Sequence, residues 1–400
     1  MKKQTLILMA MTALLMSACG NEGNNTGSGG GPNQDAPVQG GNNSGTGTPQ
    51  GNVDGQSDVD LVVSDITTTP WQGGAKGAYS IIHDDVCANP LGNDGLYKNW
   101  LEIEKRKIVV GLGVVVSYCT DQWFVALKQM EQAGFEIVNH SYSHKDLTAA
   151  DTDLAIEIKK ADLILHEKGL GEGTQGATFF AFPYDTSNDA VLTEVKNNSY
   201  KGARGGQRGI NDHEMDVLDP LEPFKAQYDC FSLHETDGPN CSKYKYSTDL
   251  DILNAYVDDA VRSGGWALRE LHGIGVGDSW GWVDETAYLA HLDYIKGLVD
   301  KGDLWVATPT VVTKYRASRA YCGKPQVIDG NVLQFKSFID APGCIEYAVP
   351  LTVRFKVDKD KKVIAIDQMT GKQHPLKKLS ATEYLVDLDP LSGKIKISHQ

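Results

Sequence analysis

Four short clusters in this 400-residue chain carry side chains whose types could act together. His83-Asp84-Asp85 sets two carboxylates side by side directly after an apolar stretch, a place where acids are less easily dismissed as a solvated turn or a helix cap. His140-Ser141-Tyr142-Ser143-His144 sets two imidazoles one helical turn apart, or on one tight loop, a spacing suited to a shared metal. Phe182-Pro183-Tyr184 and Leu271-His272 add a rigid turn and a further imidazole. Taken singly, these are surface histidines, a turn and a core histidine. Taken in order, each at the end of an apolar stretch, they read as one site.

For the four to meet, the stretches before them must be parallel strands. The sequence predicts strand 78–82, a helix near 96–107, strand 108–117, helix 120–134, strand 135–139, helix 152–170, strand 178–182 and helix 187–198. After a loop-rich stretch come helix 248–263, strand 266–271, helix 285–300, strand 304–307 and a closing segment 308–318. Repeated βα units argue for parallel strands wrapped by helices, as a barrel or an open sheet. Such folds place their sites at the C-terminal ends of the strands, where all four clusters fall. Beyond Cys322 the pattern changes to short strands at 332–338, 351–357, 363–367, 383–387 and 395–398, a small all-β module. No internal repeat is found.

Asp84-Asp85, His140-Ser141-x-x-His144, Ala181-x-Pro183-Tyr184 and Leu271-His272 resemble the successive motifs of the NodB-homology polysaccharide deacetylases, carbohydrate esterase family four. The resemblance spans about residues 75–318. It implies a distorted (β/α)7 barrel, here followed by a small sandwich-like β domain at 322–400, and a divalent metal on one Asp and two His. Carried over, Asp85, His140 and His144 are the metal ligands, Asp84 is the base, His272 the general acid, and the Tyr184 backbone N–H the oxyanion donor. A small N/O ligand set leaves open positions where water becomes acidic and a carbonyl is polarised. Zinc is expected ahead of cobalt or nickel, which the same ligand set suits. The implied activity is removal of acetyl groups from a carbohydrate, N-acetyl groups of GlcNAc-containing oligo- or polysaccharide first. O-acetyl polysaccharide esterase and non-catalytic carbohydrate-binding lipoprotein are the alternatives. Pro183, Arg204, Trp280 and Trp282 are the expected substrate-binding residues, the two tryptophans by stacking on sugar faces.

The sequence departs from the family at several points. Ala181 stands where the family has the Arg that orients the base, and Arg204, at the end of the next strand, offers a substitute. The family's Asp-x-x-x-Trp motif is not found ahead of Leu271-His272, Arg269-Glu270 replaces apolar residues in the last strand, and His83 stands where Phe is frequent. Gly277-Asp278-Ser279-Trp280-Gly281 fits the nucleophile-elbow pattern of serine hydrolases. That pattern needs a buried strand before it and a helix at once after it, and a glycine-rich loop precedes it here.

The N-terminus reads as an address. Lys2 and Lys3 precede the apolar run 6–16, and Met16-Ser17-Ala18 leads into Cys19, a pattern that resembles the bacterial lipoprotein signal. Residues 1–18 are the expected signal peptide and Cys19 the expected lipidated residue. Gly20 after it points to the outer membrane or cell surface. Residues 19–58 are rich in Gly, Asn, Ser and Thr, a flexible linker whose r.m.s. reach is about 35 Å. The six other cysteines are expected to pair as Cys87–Cys119, Cys230–Cys241 and Cys322–Cys344, the first because both lie just beyond consecutive strands. With 38 Lys and Arg against 52 Asp and Glu, a net charge of −14, nucleic-acid binding is not expected. No apolar run reaches the roughly 18 residues of a membrane span. The expected contact with a membrane is the lipid alone.

Overall fold

The computed structural model describes residues 61–171, 176–229, 248–275, 281–336 and 341–400, and opens on strand β1 (Val63–Thr68). Ten-residue β2 (Gly77–Val86) follows, buried along almost its whole length. Its alternate residues point to two different partners. Tyr79 and Ile81 pack among the residues under the outer helices, whereas Ala78 and Ile82 join a second apolar cluster with Val138, Phe179 and Leu268. Burial on both faces is why a parallel strand reads as a continuous apolar run.

The βα units continue through α1 (Pro90–Lys105), β3 (Gly111–Val114), α2 (Asp121–Gln132) and β4 (Glu136–Asn139). Next come α3 (Ala161–Glu167), β5 (Phe179–Ala181), α4 (Asp189–Asn197), β6 (Gly202–Arg208) and β7 (Ala226–Tyr228). After these lie α5 (Asp249–Ser263), β8 (Trp266–Leu271), α6 (Glu285–Lys301), β9 (Leu304–Val306) and α7 (Pro309–Cys322). Local chemistry sets the helix ends. Thr120, Asn188, Thr248 and Asp284 each accept a first-turn backbone N–H, and Gly264 and Gly302 close α5 and α6 in the left-handed conformation.

The parallel strands run in the order β7-β6-β5-β4-β3-β2-β8, with β9 also paired to β2. The seven-strand path is nearly closed: Asp229 N–H donates to Leu268 O at 3.2 Å, and Asn211 and Trp266 exchange backbone bonds of 2.8 and 3.0 Å. This is the distorted (β/α)7 barrel that the resemblance implied. The expected strand 108–117 is shorter, because the chain turns at Val116–Tyr118. Helix 152–170 also starts differently, with a π-helical segment at Ala155–Lys160 before α3.

Strands β10 (Gln326–Val327) and β11 (Val332–Gln334), helix α8 (Pro342–Tyr347), and strands β12 (Leu351–Val357), β13 (Val363–Asp367), β14 (Gln373–His374), β15 (Leu376–Lys378), β16 (Glu383–Leu388) and β17 (Ile395–His399) complete the chain. They form two antiparallel sheets, β1-β12-β16-β15 and β10-β11-β17-β13-β14. The first sheet therefore takes an edge strand from before the barrel, which the sequence did not reveal. β1 buries only Val63 and lacks an apolar run.

The β region meets the barrel at the N-terminal ends of β2 and β8, the ends remote from the four clusters. Trp71 is fully buried there, its centroid 6.3 Å from Trp305, and its indole N–H donates to Gly264 O at 3.0 Å. Tyr315 lies 5.1 Å from Trp305 and accepts Thr352 N–H at 3.2 Å. Among the described residues no helix is long and apolar enough to cross a membrane. Because Trp71 belongs to the apolar cluster shared by the barrel and the β sheets, Trp71→Ala is expected to cost about 3–5 kcal/mol. Urea unfolding measures this, and a loss below about 1 kcal/mol would show that the joint does not depend on Trp71.

Candidate active site

The site begins with an irregularity in β2. Its register against β3 slips between His83 and Val86, and Asp85 adopts φ 57° and Cys87 φ 79°. A bulge of this kind re-aims side chains. Here it leaves Asp84 buried and Asp85 half-buried at the cleft. The Cys87–Cys119 disulfide ties the chain after Asp85 to the turn after β3, and Cys322–Cys344 is also formed. Cys19, Cys230 and Cys241 lie outside the described residues.

The second cluster follows β4 on a tight loop in which Ser141 and His144 have φ of 71° and 58°. Asn139 Oδ1 accepts Ser141 N–H and Ser141 Oγ accepts His144 N–H, both at 2.8 Å. Glu157, from the π-helical segment, accepts Ser143 N–H at 2.8 Å and Ser143 O–H at 2.6 Å. Its own carbonyl takes Tyr142 N–H at 2.9 Å. Sequence reading missed Glu157, one acid in a charged helical stretch with no spacing to mark it.

These loops bring three donors together. His144 Nε2 is 3.2 Å and His140 Nε2 3.7 Å from Asp85 Oδ1, and one donor atom from each of the three residues lies within 4.8 Å of the others. His140 Nδ1 sits 2.8 Å from Ala181 O. A carbonyl only accepts, so Nδ1 carries the proton and Nε2 presents its lone pair to the cleft. Burial also pushes the His140 pKa down to about 4, which keeps the ring in its neutral, ligating form. The set fits a divalent metal.

Beside it lies a buried ion pair. Arg204 Nη2 donates to Asp84 Oδ2 at 2.6 Å and to Asp185 Oδ1 at 3.0 Å. Arg204 and Ala181 are directly paired across β6 and β5, so the guanidinium missing from position 181 is supplied one strand over. Arg204, expected among the substrate-binding residues, is 1% exposed, and its guanidinium reaches Asp84 and Asp185. Burial raises the Asp84 carboxyl above its ordinary value, and Arg204 partly offsets this. Gly113 makes the room, since a Cβ there would stand 2.7 Å from Asp84 Oδ1.

His272 lies opposite, its Nε2 3.7 Å from both Asp85 Oδ2 and Glu270 Oε1. Burial drives this imidazole well below its ordinary pKa, toward the neutral form. Glu270 is buried and its carboxyl is raised, first by burial and then by Asp185. His83 turns away and bonds Tyr288 at 3.0 Å, and burial lowers it to about 3. Pro183 is buried, whereas Tyr184, at φ 55°, is exposed with its ring 4.7 Å from that of His144. Trp282 is half-buried. Trp280 and most of the Gly277–Gly281 motif lie outside the described residues. The resulting cleft has a volume of about 410 Å³, and its walls include Asp84, Asp85, His140, His144, Tyr184 and Glu270.

A family model, polysaccharide deacetylase, matches residues 94–203. The match lies within the barrel, from α1 to β6. The matched stretch holds His140, His144 and Pro183-Tyr184, while Asp84, Asp85, Arg204 and His272 lie beyond its ends. No curated protein matches the chain. Among solved structures, it is similar to a Mycobacterium smegmatis protein described as a polysaccharide deacetylase, at 14% identity and a TM-score of 0.47, over 64% of this chain and 96% of that one. It is also similar to a family 4 carbohydrate esterase from Streptomyces lividans in complex with acetate, at 16% identity and a TM-score of 0.36, covering 58% and 92% of the two chains. A third is a family 4 acetyl xylan esterase from Clostridium thermocellum with a cobalt ion, at 15% identity and a TM-score of 0.38, covering 59% and 89%.

If Arg204 is what holds Asp84 at the cleft, Arg204→Met leaves a buried carboxylate unpaired. A loss of about 3–5 kcal/mol is expected. Urea unfolding tests it: an Arg204→Met protein as stable as its parent would mean that Asp84 does not depend on this pair.

Proposed function

We propose that the barrel is a metal-dependent hydrolase that removes acetyl groups from a carbohydrate, N-acetyl groups of GlcNAc-containing oligo- or polysaccharide before O-acetyl esters. One observation carries the reading. Three metal-type donors converge in an open cleft directly beside a buried acid that a guanidinium holds in place.

A divalent cation on Asp85, His140 and His144, zinc ahead of cobalt or nickel, supplies Lewis acidity toward water and the acetyl carbonyl. Asp84 is the proton acceptor as water attacks the acetyl carbon. Arg204 engages its Oδ2, and Oδ1 has no hydrogen-bond partner among the described residues. The Tyr184 backbone N–H is the donor toward the developing oxyanion. His272 delivers a proton to the departing nitrogen. Its Nε2 stands 3.7 Å from Asp85 Oδ2 and Glu270 Oε1. A proton delivered there matters most for an amide substrate, because an amine must be protonated to leave whereas many alkoxide or phenolate groups need less help.

Chelation is expected to abolish turnover, and Asp85→Ala or His144→Ala to lose the ion. Asp84→Asn should keep the metal and lose about 10²–10⁴-fold in turnover. His272→Ala should keep it too and hurt acetamides more than activated esters. Acetate release from N-acetylated chito-oligosaccharides and acetylated xylo-oligosaccharides, with metal analysis of each variant, checks all four. Unchanged turnover after chelation would remove the metal from the reaction.

We also propose export and lipid anchoring at Cys19, at the outer membrane or cell surface. Detergent phase partitioning of the full chain expressed in a bacterium tests this: Cys19→Ser should move it to the aqueous phase, and an unmoved variant would end the proposal.

A further inference from the structure

Glu270 lies in the layer of side chains directly beneath the cleft. It pairs in register with Ile82 and follows Trp266 and Leu268 along one face of β8, and all three of those belong to the apolar cluster inside the barrel. A carboxyl at the top of an apolar layer is costly unless something bonds to it. Glu270 is 3% exposed and lines the cleft, yet its Oε2 has no hydrogen-bond partner among the described residues. Its Oε1 stands 3.7 Å from His272 Nε2, which places the group on the leaving-group side. Arg204, already bonded to Asp84 and Asp185, attracts Glu270 only through space.

We propose that Glu270 is a specificity-determining residue whose Oε2 accepts a hydrogen bond from a sugar hydroxyl on a carbon next to the acetylated one. This rests on the carbohydrate reading above. A second cation shared by Asp84, Glu270 and His272 is the rival occupant, since their donor atoms also lie within 4.8 Å. Asp84 already receives a guanidinium at 2.6 Å, so a cation on the same carboxylate would meet a like charge. A neutral hydroxyl meets none. Acetylated pyranoses carry such hydroxyls whether the acetyl is on nitrogen or oxygen, whereas a simple aryl acetate carries none.

The test compares Glu270→Leu and Glu270→Gln in the metal-loaded full chain, on tri-N-acetylchitotriose, acetylated xylo-oligosaccharide and 4-nitrophenyl acetate. A site built around a hydroxyl loses much when its acceptor is removed. Glu270→Leu should lower kcat/KM on the better sugar by about 10–100-fold, mainly through KM, and change aryl acetate turnover less than about twofold. Glu270→Gln, which keeps an acceptor oxygen, should recover part of the loss and also serves if the Leu protein fails to fold. Equal losses on sugar and aryl acetate, or no loss on sugar, would overturn the proposal. So would a parent binding two ions per chain and losing one in either variant. If the parent turns over no acetylated sugar, calorimetric binding of the same oligosaccharides separates the two readings. Sugar affinity that falls in Glu270→Leu keeps the role of Glu270 while the hydrolase reading fails, and affinity that does not fall ends both.

Discussion

The arrangement of the cleft depends on the contact between Arg204 and Asp84. Both groups are almost wholly buried, so each is paired or very costly. One guanidinium nitrogen satisfies Asp84 and Asp185 together, tying the end of β2 to the turn after β5 through β6. Asp84 is thereby fixed beside the donors, with one oxygen engaged and the other left over. Ala181 permits this arrangement: it lies directly across from Arg204 in the sheet and carries nothing that would compete for the same carboxylate.

The donors themselves are held by short, local braces. The bulge in β2, the disulfide after Asp85 and the hydrogen bonds of Asn139, Ser141 and Glu157 fix two loops that contain left-handed residues. Strained backbone persists only where its surroundings over-determine it. The gain is preorganisation: Ala181 O sets the His140 tautomer and leaves Nε2 facing the cleft. The π-helical segment belongs to the same device, since it carries Glu157 with both its side chain and its carbonyl on the histidine loop.

The β sheets serve the opposite end. They join the barrel through Trp71, Trp305 and Tyr315, at the strand ends remote from the cleft, and share an apolar cluster with its interior. Site and joint are thus separated along the strands, as is usual for βα barrels, where the C-terminal ends carry chemistry and the other ends carry stability.

Much was legible in the sequence. Two-sided burial makes β2, β4, β5 and β8 apolar runs, so their ends, and the four clusters on them, could be located from hydropathy alone. The order of clusters carried the resemblance, and the barrel followed. What the sequence could not express is contact between strands. The sequence offered Arg204 as a substitute for the arginine absent at position 181, but only the sheet puts the two side by side, because cross-strand neighbours are set by register and not by spacing along the chain. β1 was hidden because an exposed edge strand needs no apolar pattern, and its partner β12 lies far along the chain. Glu157 and Glu270 are ordinary acids in one dimension. Packing sets Glu157 against the histidine loop, where it accepts from Ser143, and leaves Glu270 with one oxygen unpartnered among the described residues, and only the tertiary structure decides that.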